Sequence, residues 1–337
     1  MRFRSFIPVA AAAAVLAGCS TDSAITESAV SARTVAQPTE AESAVVSAEL
    51  AAMNEQLALS GSAMRVLKAE LLVDAKTWSG ASQTLIADDR QRGTGYRWVK
   101  GDPRRAGRTG VTYAFDPRNS NTITRNIDGS GVRLVTAAEF DAYLEEGTAA
   151  WRDRSCSSAP VDRVAVPAGI DPDLLDNLFL GSDGGRPYAQ VSDIVQAGWK
   201  PLSFFQAFAG ADGAGILGVS FTFIFTNLDG TPTDIDGDGN ADTGLNEVYY
   251  NTAYYWAGHG GSNAVDFYSI IAHETGHSFG LNHFGKVFVT KRDAADGISI
   301  ADVKYAPKAL MNAVYVTGRS EILGSDNSSF CQIWASK

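Results

Sequence analysis

The chain has 337 residues, 45% hydrophobic and 20% charged, an ordinary globular composition with enough apolar material for a sizeable core. Its formal net charge is −10 and no long block of like charge interrupts it. That balance argues against a nucleic-acid partner, which usually needs a basic face, and against a charged disordered tail.

The chain opens on a targeting pattern. Arg2 and Arg4 precede an apolar, Ala-rich run from Phe6 to Gly18 that is too short to span a bilayer. Residues 1–18 therefore read as an export signal, set aside from the fold. Leu16-Ala17-Gly18-Cys19 resembles a bacterial lipobox, which implies acylation of Cys19. By that resemblance the protein is lipid-anchored on a bacterial envelope membrane, with the outer membrane favoured because Ser20 rather than Asp follows the cysteine. An ordinary signal peptide with a chance cysteine is the alternative. Two cysteines then remain, Cys156 and Cys331. In an exported chain they are expected to form a disulfide, the alternative being two buried thiols.

Residues 19–44 are rich in Ala, Ser, Thr and Glu without aromatics, which predicts a flexible tether. Val46, Leu50, Met53 and Leu57 then recur at helical spacing, and Ser60-Gly61-Ser62 stops the pattern. Met64 to Val73 and Thr84 to Ala87 have strand character. Residues 45–103 are read as a small helix-plus-strands module of unknown role, closed by a boundary at Gly101 to Arg105.

From 104 to 337 strands and helices alternate. Strands are expected at Val111–Phe115, Val191–Val195, Ile216–Thr226 and Glu247–Asn251. Helices are expected at Ala137–Arg152 and Asp266–Phe279, each with an apolar face. Between two strands lies Asp234-Ile-Asp-Gly-Asp-Gly-Asn-Ala-Asp242. Alternate carboxylates with Gly239 at the sixth place resemble the first half of a calcium loop. Asp234, Asp236, Asp238, Asn240 through its carbonyl, and Asp242 are the candidate ligands. Leu245 stands where the bidentate Glu belongs, with Glu247 as a stand-in if the loop distorts. Calcium is the favoured reading over a solvated acidic turn.

His273-Glu-Thr-Gly-His277-Ser-Phe-Gly-Leu-Asn-His283 holds three of the four histidines. On a helix, residues four apart share a face, so His273 and His277 suit one zinc ion at about 2.0 Å. Gly280 can take the left-handed conformation that ends a helix and lets His283 return as a third ligand. Three protein ligands leave a place for water, the mark of a catalytic site, and Glu274 stands beside them as general base. His259 lies outside this pattern and reads as a loop residue.

HExxHxxGxxH is the zinc signature of the metzincin metalloproteases. Ala309-Leu-Met311-Asn-Ala-Val-Tyr315 resembles their methionine turn, close to the matrixin form. Asp212 to Val219 resembles the glycine-rich loop and edge strand ahead of the matrixin active site. The likeness covers roughly residues 104–337. It implies an α+β zincin-like catalytic domain, a twisted mixed sheet with an active-site helix. It also implies Met311 as apolar support beneath the metal, and a peptide substrate lying along Ile216, Leu217, Gly218, Val219 and Ser220. Departures exist. Phe284 replaces the usual Ser after the third histidine, and Val219 and its neighbours offer no ligand for a second, structural zinc. The stretch from His283 to Met311 is longer than in compact matrixins.

The function expected is a zinc-dependent endopeptidase acting on peptide or protein. Two other classes stay open: a catalytically silent surface-binding lipoprotein, and a zinc hydrolase acting on a non-protein amide.

Overall fold

The computed structural model describes residues 40–74, 95–116, 118, 121–157, 159–180, 185–259, 264–289, 303–306, 308–315 and 321–334. The signal, Cys19 and the strand expected at Thr84–Ala87 lie outside them. No helix among the described residues is long and apolar enough to cross a membrane.

The elements are α1 (Glu40–Leu59), β1 (Met64–Asp74), β2 (Tyr96–Arg97), β3 (Val111–Phe115), β4 (Thr122–Arg125), β5 (Val132–Val135) and α2 (Ala137–Arg152). There follow β6 (Val161–Arg163), β7 (Ile194–Lys200), α3 (Leu202–Ala209), β8 (Ile216–Phe225), β9 (Ala241–Asn251), β10 (Trp256–Ala257), β11 (Val265–Asp266) and α4 (Phe267–Ser278). The chain closes with β12 (Lys286–Val289), β13 (Val303–Ala306), β14 (Val314–Tyr315) and α5 (Gly324–Trp334). This is an α+β fold with a mixed sheet.

The two central helices start where their capping residues dictate. The Thr136 side chain accepts from the Glu139 N–H, and Asp266 from the Ser269 N–H. α1 begins at Glu40, inside the stretch expected as a tether, and stops at Ser60-Gly61, where Gly61 takes φ +76°.

The main sheet runs β14-β1-β8-β9-β7-β3-β6, with β2 added beside β9. β3, β6, β7 and β9 are mutually parallel, β8 is antiparallel to β9, and β1 is antiparallel to β8. Both faces are covered. Phe140, Leu144 and Trp151 of α2, with Phe267, Ile270 and Ile271 of α4, build the core on one side. Leu57 of α1 and Phe205 of α3 pack on the other, against Val66, Leu71, Phe221, Phe223 and Tyr249. Every residue of β8 is buried, so the strand is read from its apolar run rather than from alternation.

Two expectations change here. Residues 45–103 contribute β1 to the main sheet rather than standing apart, because its apolar residues reach both cores, Leu72 on one side and Val66, Ala69 and Leu71 on the other. The boundary expected at Gly101–Arg105 is a packed turn. Arg105 is buried, with Nε 2.9 Å from Asp193 Oδ1 and its other nitrogens donating to the Val99 and Gly110 carbonyls.

Candidate metal centre and active site

α4 carries His273, Glu274 and His277 into the interior, where all three are buried. Gly280, at φ +89°, turns the chain immediately afterwards. A Cβ tolerates that conformation poorly, which is why glycine stands there. The turn returns His283, also fully buried, to the face that His273 and His277 share. The three Nε2 atoms lie 3.0 Å from one another in each pairing.

The proton positions follow from the partners. His273 Nδ1 is 2.7 Å from the Leu310 carbonyl, and His277 Nδ1 is 2.8 Å from the Leu281 carbonyl. A carbonyl only accepts, so both Nδ1 atoms carry hydrogen, and in the neutral ring each Nε2 then presents a lone pair. Burial lowers His273 to about 3, aided by the charge of His277, and pushes His283 well below the ordinary imidazole range. Neutral imidazoles are the form that ligates metal. His283 Nδ1 has no partner, so no hydrogen bond fixes the tautomer of this third ring. Two bare lone pairs at 3.0 Å repel, and a cation among them removes the conflict. The donor set therefore fits a metal ion, and all-nitrogen ligation suits zinc among other first-row metals.

Glu274 is fully buried, and neither carboxylate oxygen has a hydrogen-bond partner. Burial, then the charge of Glu70, pushes its pKa well above the ordinary range. It faces β8: a Cβ on Gly218 would lie 2.9 Å from Glu274 Oε1.

Beneath the histidines runs the turn around Met311. A Cβ on Gly276 of α4 would lie 2.5 Å from the Met311 sulfur, so the fully buried Met311 packs directly on the helix. Phe284, the departure from the matrixin pattern, is built into this turn. Its N–H donates to the Met311 carbonyl at 3.1 Å and its carbonyl accepts from Asn312 Nδ2 at 2.7 Å.

Sequence reasoning missed three contributors. Asp326 of α5 accepts from the N–H groups of Leu310 and Met311, at 2.9 and 3.1 Å, and from Leu323 at 2.9 Å. Its place one turn into a helix beyond the Met311 turn carries no motif. Glu70 and Lys68 of β1 are buried against the back of the site. Glu70 lies 2.9 Å from His277 Nδ1 and 2.8 Å from Lys68 Nζ, and Lys68 donates to Asn282 at 2.7 Å. Burial alone would raise the Glu70 carboxyl, but the charges of His277 and Lys68 outweigh it and hold it at about 2. Alternating apolar and charged residues in β1 suggest a half-exposed strand, and only the long-range pairing shows where the charges go.

Other expected positions fall as follows. His259 is half exposed in a loop, 3.3 Å from Glu146, away from the cluster. Cys156 and Cys331 form a disulfide with Cα atoms 5.5 Å apart, tying α5 to the segment after α2. Asp234, Asp236 and Asp242 gather their carboxylates within 4.8 Å, while Asp238 lies 3.7 Å from Arg97 and accepts from Asn240. Glu247 cannot serve as a substitute calcium ligand. It is fully buried in β9, accepting from the N–H groups of Leu174 and Leu175 and from the Tyr249 hydroxyl. The edge strand expected at Ile216–Ser220 is not an edge: β1 pairs with it along the side away from β9.

No family model matches the chain, and no curated protein matches it significantly.

Proposed function

We propose that the chain is a zinc-dependent endopeptidase of metzincin type, held to a bacterial envelope by lipid on Cys19. The observation that carries this reading is the convergence of three imidazole Nε2 atoms on one point, with Glu274 on the same helix. His273, His277 and His283 would hold the ion. Zinc, when bound, supplies Lewis acidity that polarises a peptide carbonyl and eases deprotonation of water. The remaining work falls to the chain. Glu274 takes a proton from the attacking water and hands it to the amide nitrogen as the carbon–nitrogen bond breaks. Gly218 leaves room for the carboxyl beside β8. The Leu310 and Leu281 carbonyls fix the tautomers of His273 and His277, so each lone pair stays aimed. A peptide chain would pair with β8 by its backbone only where β1 gives up that side of the strand.

The test is metal analysis and peptide-library cleavage, on the chain as it is and in a Leu72→Ala background. Glu274→Ala should keep its metal and lose hydrolysis, whereas His283→Ala should lose metal. Undiminished turnover in Glu274→Ala would sink the mechanism. A second reading, a silent binding module, is favoured by one observation: all three histidines and Glu274 are closed off from solvent.

A further inference from the structure

β1 runs through the place a peptide substrate would need. On one side it pairs antiparallel with β8, Leu71 opposite Val219 and Leu72 opposite Gly218. On the other it pairs in parallel with β14, directly after the Met311 turn, Val73 opposite Val314 and Asp74 opposite Tyr315. The strand is thus held by backbone ladders on both sides, between β8 and the strand that follows the Met311 turn.

Its side chains fit the site as closely as its backbone does. Leu72 is buried, and with His273, Ala309, Leu310, Val314 and Tyr315 it borders a residual space of about 10 Å³. That is at or below what one water molecule needs. Leu72 is also the register partner of Gly218, the residue against which Glu274 rests. The stretch of β1 passing the base is therefore the one at Leu72, where a register shift between Leu72 and Val73 bends the strand. Lys68 and Glu70 secure the preceding turn of the strand through Asn282 and His277. With β1 in place, His273, His277, His283 and Glu274 are all buried.

We propose that β1 is an internal inhibitory strand, occupying the substrate's place in the groove, and that the site admits a peptide only when β1 withdraws. The proposal rests on reading β8 as the substrate strand of a peptidase. It also accounts for the closed site without making that site silent. A covalently connected strand competes at high effective concentration, so an outside ligand sees an affinity reduced by the fraction of chains that are open. Weakening the Leu72 anchor raises that fraction.

The experiment uses full-length protein loaded with cobalt(II), whose visible spectrum reports a change of ligands. Acetohydroxamate, a small oxygen-donor metal ligand, is titrated into wild type, Leu72→Ala and Leu72→Asp, and peptide cleavage is measured in parallel. Far-UV circular dichroism and an intact Cys156–Cys331 bridge establish that each variant is folded, and Leu72→Ala serves where Leu72→Asp fails this check. The expected result is a spectral midpoint lower in the variants by roughly tenfold or more, with cleavage rising in step. Equal midpoints in wild type and a folded variant overturn the proposal, since β1 would then be an ordinary sheet strand that covers nothing. A lowered midpoint without cleavage of any peptide upholds the inhibitory strand and overturns the peptidase reading instead.

Discussion

Gly276 of α4 leaves just enough room for Met311: a Cβ on Gly276 would stand 2.5 Å from the sulfur and 3.0 Å from Trp151 Cζ2. The helix bearing two of the three histidines thus rests on the methionine with nothing between. Gly276→Ala gains about 1 kcal/mol of helix propensity but forces a fully buried side chain aside, at a cost of about 1–3 kcal/mol. The expected net effect is destabilisation with weaker metal retention, because the displaced turn carries the Leu310 carbonyl that orients His273. Urea unfolding and metal competition on Gly276→Ala, Met311→Ala and the double variant measure the coupling. Strict additivity would show that the two residues do not press on each other.

Asp326 is the second support. Its carboxylate accepts three backbone N–H groups and is itself fully buried. Asp326→Ala strands those donors, at about 1–3 kcal/mol each before relaxation. The Leu310 carbonyl then loses its fixed position, and loss of such an outer partner typically lowers metal affinity about 10–100-fold. Competition with a chromogenic chelator reads this directly. An Asp326→Ala variant with wild-type affinity would confine the residue to holding the fold.

The sequence carried the histidine-bearing helix almost whole. Asp266 caps it, histidines at spacing four share its face, and Gly280 at φ +89° ends it as the pattern requires. These are local features, set within one or two turns. What was illegible depends on partners distant in sequence. Ile216–Phe225 reads as a strand, but nothing in it says that Met64–Asp74 lies alongside. Glu247 misled because a carboxylate near an acidic loop looks like a ligand. Its side chain instead satisfies the N–H groups of Leu174 and Leu175, more than seventy residues away in sequence.

Acid should unload stability through the histidines. His273 has a folded pKa of about 3, against about 6.5 in the unfolded chain. Between those values the unfolded state binds the extra proton, so stability is present above about pH 6.5 and is lost as pH falls below it. His283 is lowered too and adds the same sign. Glu247 opposes them. Burial, resisted by its bonds to the Leu174 and Leu175 N–H groups, holds it up at about 7, so the folded state takes the proton first and gains stability as pH falls. Absolute melts therefore mix two signs. The informative quantity is the difference between metal-free wild type and His273→Leu across pH 7 to 5. Wild type should lose melting temperature more steeply than the variant, and parallel curves would mean that His273 titrates normally.

Calcium is expected to bind at Asp234, Asp236 and Asp242 and to stabilise the fold without entering the chemistry. The three carboxylates gather within 4.8 Å, close enough to repel. Asp236 shows it: partial desolvation, then the charge of Asp238, raises its carboxyl above the ordinary range. Other bonds already brace the loop. Asp242 accepts from Arg104 and Thr233, both at 2.6 Å, and Asp234 accepts from the N–H groups of Asp238 and Gly239. The empty loop is therefore held in shape, and the ion's effect should be a modest gain rather than a folding switch. Binding to the folded state alone raises stability by about 2.7 kcal/mol at a hundredfold excess over the dissociation constant. Thermal melts with and without millimolar calcium should show the rise in wild type and lose it in Asp234→Asn/Asp236→Asn. Asp242 is left intact because removing it would also release Arg104. If the double variant responds to calcium as wild type does, the ion binds elsewhere and the loop is an acidic turn braced by its own backbone.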